Sequence, residues 1–205
     1  TDGRHAEIEY TDDWREDSNR RDFTINAIYL DISGKIFDPQ EGVDDLKNCN
    51  VKFIGDPVKR IEEDYLRIIR FIRFALEYES KVEDKTIEAI KLSLNGIKRI
   101  SKERILTELF KILSVKNFIK LNNHKDLKDI FFLIFPEFKY LKRLDKLNKT
   151  TLKYNFSKKI LLAILLIDET NNHEYFVHKY NISNNLKESL NLLASNFINF
   201  NKNKN

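Results

Sequence analysis

From Pro57 to Tyr78 the chain repeats its apolar residues with the period of a helix. Ile61, Ile68, Phe71, Ile72 and Ala75 fall on one face when each residue turns by about 100°. A stripe that regular predicts one amphipathic helix laid against a core, with Asp56 as its cap and Pro57 at its first position. On the same wheel Glu63, Arg67 and Arg70 cluster on a neighbouring face. Asp64 lies between that cluster and the stripe, and Arg73 is rotated about half a turn from Asp64. A helix that carries so many arginines beside its buried face has a polar task as well as a structural one.

The residues before this helix alternate. Glu7 to Tyr10 and Thr24 to Leu30 read as strands, the second continuing through a Ser33-Gly34 turn into Lys35 to Asp38 as a hairpin. Asp38-Pro39 ends that strand, Gly42 to Leu46 starts a short helical turn, and Val51 to Ile54 is a last strand-like piece. Beyond Tyr78 the pattern is helical: Val82 to Leu94, ended by Gly96, then a helix capped by Ser101 whose buried side is Ile105, Leu106, Leu109, Phe110 and Leu113. Leu127 to Phe135, Ser157 to Thr170 and Ile182 to Phe200 predict further helices, with Asn201 to Asn205 a frayed tail. The fold class is therefore α+β, with a small sheet at the N-terminus and a mainly α-helical remainder.

Composition narrows the function classes. Only 5 Gly and 3 Pro among 205 residues suit a helix-rich globular chain. The longest apolar run, Ile160 to Ile167, is too short for the roughly 20 residues of a membrane span and reads as a core helix. One cysteine, Cys49, rules out an internal disulfide, and no signal peptide opens the chain, so a cytoplasmic location is expected. Residues 114–205 hold 16 Lys+Arg against 8 Asp+Glu, whereas residues 1–113 hold 20 against 24. A basic C-terminal half suits a phosphate backbone, or else reflects drift toward Lys, Asn and Ile.

Two blocks carry the chemistry, Arg20-Arg21-Asp22-Phe23-Thr24-Ile25-Asn26-Ala27 and Glu63-Asp64-Tyr65-Leu66-Arg67-Ile68-Ile69-Arg70-Phe71-Ile72-Arg73-Phe74. In the second, a carboxylate that only accepts and a guanidinium that only donates, three residues apart on one helix, can address one base edge together. Cytosine and adenine offer an amino donor beside a ring-nitrogen acceptor, which Asp64 and Arg67 fit. Uracil and guanine place a carbonyl where Asp64 would stand. The plainer alternative is an ordinary Asp64–Arg67 surface pair. Glu63, at i−4, is placed to orient Arg67, while Arg70 and Arg73 drift toward phosphates or structural carboxylates. In the first block Arg21 offers a fork for a phosphate, and Thr24 and Asn26, on one face of a strand, offer hydrogen bonds to a ribose. The alternative there pairs Arg21 with Asp17 or Asp22 and gives Asn26 to a turn. Asp38, Asp44 and Asp45 read as a structural turn and helix start. His5, His124, His173 and His178 lack the spacing of a zinc site, and Trp14 and the phenylalanines read as core.

RRDFTINA and EDYLRIIRFIRF, in this order and at this spacing, closely resemble the corresponding stretches of class II tRNA nucleotidyltransferases (CCA-adding enzymes) and bacterial poly(A) polymerases. The resemblance implies the end of a nucleotidyltransferase head with a palm-like sheet over residues 1–56, nucleotide-selecting and neck helices over 57–113, and a helical, RNA-binding body over 114–205. It also implies addition of CMP and AMP to the 3′ end of tRNA, with CTP and ATP as substrates and two Mg2+ ions held by an Asp-x-Asp pair. Arg21, Thr24, Asn26, Asp64, Arg67, Arg70 and Arg73 would contact nucleotide, supported by Asp22 and Glu63. No Asp-x-Asp pair occurs in this sequence, which also lacks methionine. No catalytic or metal-binding residue is therefore assigned, and some 70 to 100 preceding residues, or a companion chain, are expected to supply that segment. Alternative readings are an A-adding enzyme or poly(A) polymerase, and a non-catalytic RNA-binding relative.

Overall fold

A computed structural model of the chain describes residues 11, 13–150 and 156–202. The expected strand over Glu7–Tyr10, His5 and the last three residues lie outside them. Among the described residues the fold is mostly helical, with one two-stranded antiparallel sheet. Helix α1 (Trp14–Arg20) begins at Asp13, whose carboxylate accepts from the Arg15 and Glu16 N–H groups. The hairpin follows as β1 (Tyr29–Leu30) and β2 (Ile36–Phe37), with Tyr29 opposite Phe37. Its turn is closed by the Asp31 carboxylate, which accepts from the Ser33 and Lys35 N–H groups, and by Gly34 at φ +84°.

The strand expected from Thr24 onward is shorter than its alternation implies. Thr24–Asn26 form a 3-10 turn instead. The Asp22 carboxylate captures the Phe23 N–H and the Asn26 side-chain amide, and Asn26 N–H then donates to Phe23 O, so local polar capture outcompetes the β preference of Thr and Ile. Val51–Ile54 likewise makes only an isolated bridge, Phe53 to Phe23. Helix α2 (Gly42–Lys47) starts where expected, with both oxygens of Asp38 accepting from the Gly42 and Val43 N–H groups. Gly42 is packed so closely on the turn that a Cβ would lie 2.2 Å from Thr24 O.

The expected single helix from Pro57 to Tyr78 is two: α3 (Pro57–Glu63) and α4 (Leu66–Glu77), with Asp64 extended between them at φ −154°, ψ 104°. The stripe survives the break, since Ile61, Ile68, Phe71, Ile72 and Ala75 are all fully buried. Two interactions make the break. Asp64 turns its carboxylate back to accept the Leu66 N–H, and the Tyr65 ring seats against Gly96, where a Cβ would lie 1.9 Å from the ring. Gly96 sits inside a 3-10 segment, Leu94–Arg99, that follows α5 (Asp84–Ser93).

Helix α6 (Lys102–Ile112) is capped by Ser101 and packs on α4. Of its expected buried side, Ile105, Leu109 and Leu113 are buried and Leu106 and Phe110 partly so. The rest is α7 (Lys125–Ile134), α8 (Arg143–Thr150), α9 (Lys158–Leu166), α10 (Asn172–Tyr180) and α11 (Asn184–Lys202). One continuous apolar core runs through both halves, with rings of Phe23, Phe53, Phe71 and Phe74 at one end and Phe131, Phe135, Phe138 and Phe176 at the other. Trp14 departs from its expected place in this core: it is 41% exposed and stacks on Tyr29. No helix among the described residues is long and apolar enough to cross a membrane.

Because the Tyr65 ring occupies the space beside Gly96, Gly96→Ala should cost about 1–3 kcal/mol of stability by overpacking. In a Tyr65→Ala background the same substitution should cost much less. Urea unfolding of the four variants checks this, and equal costs in both backgrounds would mean that the ring is not what excludes a side chain there.

Candidate functional site

The end of α1, the Thr24–Asn26 turn and the α3–α4 break enclose a polar cleft of about 430 Å3. Arg20, Arg21, Asp22 and Asn26 line one side; Asp64, Arg67, Arg70 and Phe74 line the other. Arg60 ties the two sides together. Its guanidinium donates to Arg21 O at 2.9 Å, to Ile54 O at 3.1 Å and to Asn19 O, and pairs with Glu63 at 2.8 Å. Arg67 in turn donates to Arg60 O at 2.7 Å and to the Glu63 carboxylate, with only a long 3.5 Å contact from its second amino group to Arg20 O. Burial pushes the Glu63 carboxyl up, but Arg67 and Arg60 outweigh it and hold it below its usual range.

Asp64 does not share a helical face with Arg67. It precedes α4, and its carbonyl accepts the Arg67 N–H at 3.0 Å. One carboxylate oxygen accepts the Leu66 N–H at 3.1 Å and the other the Arg104 guanidinium of α6 at 2.7 Å. The expected i, i+3 geometry on one continuous helix is thus replaced by a helix start, yet both side chains still reach the same cleft.

Asp22 joins the two sequence blocks. It accepts from Arg70 Nε at 2.5 Å, from Asn26 at 2.9 Å and from the Phe23 N–H at 3.0 Å. Burial alone would raise its pKa; the Arg70 and Asn26 hydrogen bonds overcome that and keep the carboxyl below its ordinary range. Arg21 pairs with Asp17 at 2.7 Å. That hydrogen bond, with one from Tyr29, lowers the Asp17 pKa and raises that of Arg21.

Thr24 and Arg73 do not line the cleft. Thr24 is buried, its hydroxyl donating to Asp45 at 2.8 Å. Arg73 lies over the Phe74 ring at 3.9 Å and pairs with Glu108 at 3.2 Å and Glu77 at 3.7 Å, facing a second cleft beside Lys111. Sequence reasoning missed Glu108, which is 2% exposed and also meets Arg70 at 3.8 Å and Lys111 at 2.6 Å. It missed Arg104 and Arg60 as well. An acidic residue at i+3 from Ile105, on the buried stripe of α6, was the available signal for Glu108.

Among the described residues no group of His, Cys, Asp and Glu could hold a metal ion. Asp38 is spent on the start of α2, Asp45 on Thr24 and on Lys52 at 2.7 Å, and Asp44 on Lys47 at 3.4 Å. Among the described residues the Mg2+ ions implied by the resemblance find no fitting ligands.

Residues 1–52 match the family described as poly A polymerase head domain, and residues 81–141 match the probable RNA and SrmB-binding site of polymerase A. CCA tRNA nucleotidyltransferase 1, mitochondrial, of Homo sapiens is 42% identical over 170 residues, 80% of this chain. The chain belongs to the CCA-adding enzyme and poly(A) polymerase family. A second family member, the CCA-adding enzyme of Staphylococcus haemolyticus, is 35% identical over 189 residues, 92% of this chain. The chain spans 39% and 45% of the lengths of these two relatives. In fold it matches the CCA-adding enzyme of Bacillus stearothermophilus in complex with CTP, with a TM-score of 0.70 at 22% identity over 97% of this chain and 50% of that one. A Thermotoga maritima CCA-adding enzyme complexed with tRNA matches with a TM-score of 0.65 at 24% identity, over 87% of this chain and 47% of that one.

Since the folded pKa of Asp22 lies below its unfolded value near 4, the stability it contributes is fully present above about pH 4. It is lost as pH falls through the folded value. The stability gap between the native chain and Asp22→Asn, measured by urea unfolding from about pH 6 down to pH 2, should therefore close in the acid limb. A gap that stays constant would mean that the Asp22 carboxylate is not held ionised by Arg70.

Proposed function

We propose that this chain is the base-selecting part of a template-independent RNA nucleotidyltransferase that adds CMP and AMP to the 3′ end of tRNA, with CTP and ATP as substrates. The observation that carries the reading is the cleft that gathers Arg21, Asn26, Asp64, Arg67 and Arg70 from two distant sequence blocks. The names of the relatives, and the CTP and tRNA complexes of the fold neighbours, support it.

In this reading Asp64 meets the exocyclic amino group of the base and Arg67 its ring nitrogen. Each Asp64 oxygen already accepts one hydrogen bond and retains a lone pair for another. Arg67 has its second amino group nearly free, while Glu63 and Arg60 O hold the rest of the fork still. A uracil or guanine would put a carbonyl against the carboxylate, a buried clash of acceptors that favours C and A. Arg21 and Arg70 supply positive charge for the triphosphate. The Asn26 amide donates to Asp22, which leaves its carbonyl for a ribose hydroxyl. Thr24 and Arg73 act by holding the turn and α4 in place.

Residues 1–56 would then be the end of a palm-like head, 57–113 the nucleotide-selecting and neck helices, and 114–205 a body whose basic surface follows the tRNA. The single cysteine, Cys49, is exposed and suits the reducing cytoplasm proposed as the compartment.

Calorimetric titration tests base choice without requiring catalysis. CTP and ATP should bind more tightly than UTP and GTP. Asp64→Ala and Arg67→Ala should each cost about 1.5–3 kcal/mol with CTP and ATP, shrinking the preference. Equal binding of all four nucleotides by the native chain, or an unchanged preference in both variants, would refute the base-reading role.

A further inference from the structure

The C-terminal half holds a further cleft that none of the chemistry above uses. It lies between the turn after α7 and one side of α10, has a volume of about 350 Å3, and is lined in part by Glu137, Lys139, Asn172, Tyr175 and Lys179. Three features at this one place point to a ligand.

The first is an acceptor. Glu137 is 3% exposed; one carboxylate oxygen pairs with Lys179, while the other is buried and meets no donor among the described residues. A buried, unmatched carboxylate oxygen costs free energy that a bound N–H group would recover. The second is a platform: the Tyr175 ring is 59% exposed on a helix whose other aromatic residues, Phe176 and Tyr180, are in the core. The third is charge. Lys139 lines the cleft beside the Lys179–Glu137 pair, and Asn172 fixes the Glu137 backbone by donating to Glu137 O and Leu166 O at 2.9 Å each.

An acceptor for a base edge, a ring for a base face and an ammonium group for a phosphate are the three parts of nucleotide recognition outside a duplex. We propose that this cleft binds one unpaired nucleotide of an RNA strand, stacked on Tyr175, with a base N–H directed to Glu137 and its phosphate at Lys139. The inference rests on the RNA-binding reading of the C-terminal half, and it turns a diffuse basic surface into one defined contact.

The test compares two probes on the full 205-residue chain: tRNA lacking its CCA end, and a blunt RNA duplex with no unpaired nucleotide. Tyr175→Ala should weaken tRNA binding by about 5- to 150-fold, the range of one lost base stack, and leave duplex binding and the thermal unfolding temperature unchanged. Lys139→Ala should lower the slope of log affinity against log salt by about 1 for tRNA. RNA carrying 5-iodouridine at unpaired positions should cross-link to the peptide containing Tyr175. Unchanged tRNA affinity in Tyr175→Ala, or an equal loss on both probes, overturns this site and leaves the wider reading intact. Failure of the native chain to bind tRNA at low salt overturns both.

Discussion

A single buried carboxylate on α6 gathers two arginines of α4. Glu108 is almost fully enclosed, and ionised in such a place it is tolerable only if cations surround it. Arg70 and Arg73 from α4 and Lys111 from its own helix do so. Arg70 then reaches on to Asp22, so the charge chain runs from α6 through α4 to the turn that opens the first sequence block. One turn before Glu108 on the same face, Arg104 holds Asp64. Helix α6 thus presents a cation and an anion in register with an anion and a cation on the α3–α4 unit. Sliding α6 by one turn would set like charges against each other. Through Arg70 and Asp64, which both line the cleft, this register is tied to the cleft's walls.

Much of this was legible in advance, for identifiable reasons. The stripe from Ile61 to Ala75 is a property of local period, and all five of its residues are buried. The cap at Ser101, the start at Pro57 and the Ser33-Gly34 turn are set by residues within a few positions of each other. What escaped is set by distant partners. The break at Asp64–Tyr65 depends on Gly96, about thirty residues away, and leaves little local trace beyond an aspartate that can cap its own backbone. The Thr24 strand failed because Asp22 offers hydrogen bonds that a count of β-branched residues ignores. Helix α8 was missed because Arg-Leu-Asp-Lys-Leu-Asn-Lys is too polar and short to show a period, and α10 because its nine residues hold only Tyr175, Phe176, Val177 and Tyr180 as aromatic or apolar side chains.

The same distinction applies to the candidate site. The residue types and their spacing brought Asp64, Arg67, Arg70, Arg21 and Asn26 forward, and the structure gathers them. Their expected geometry, one helix and one strand, was replaced by two helix ends and a 3-10 turn. The polar reach of long side chains is more forgiving than backbone prediction, which is why the set survived the change. The basic C-terminal half is also less available than its formal charge implies. Arg143 donates to Ile164 O and Ile167 O at 2.7 Å each, and Lys179 and Lys120 pair with Glu137 and Glu79. Part of that charge is structural.

The claim that the cleft is organised from α6 is tested most directly by a double-mutant cycle in CTP binding. Glu108→Gln and Asp22→Asn alter opposite ends of the Arg70 bridge, and Glu108 does not line the cleft. The account predicts that each weakens CTP and that the double variant departs from additivity by about 0.5–3 kcal/mol, because both act through Arg70. Losses that add within about 0.3 kcal/mol, or a Glu108→Gln chain that binds CTP like the native one, would contradict it.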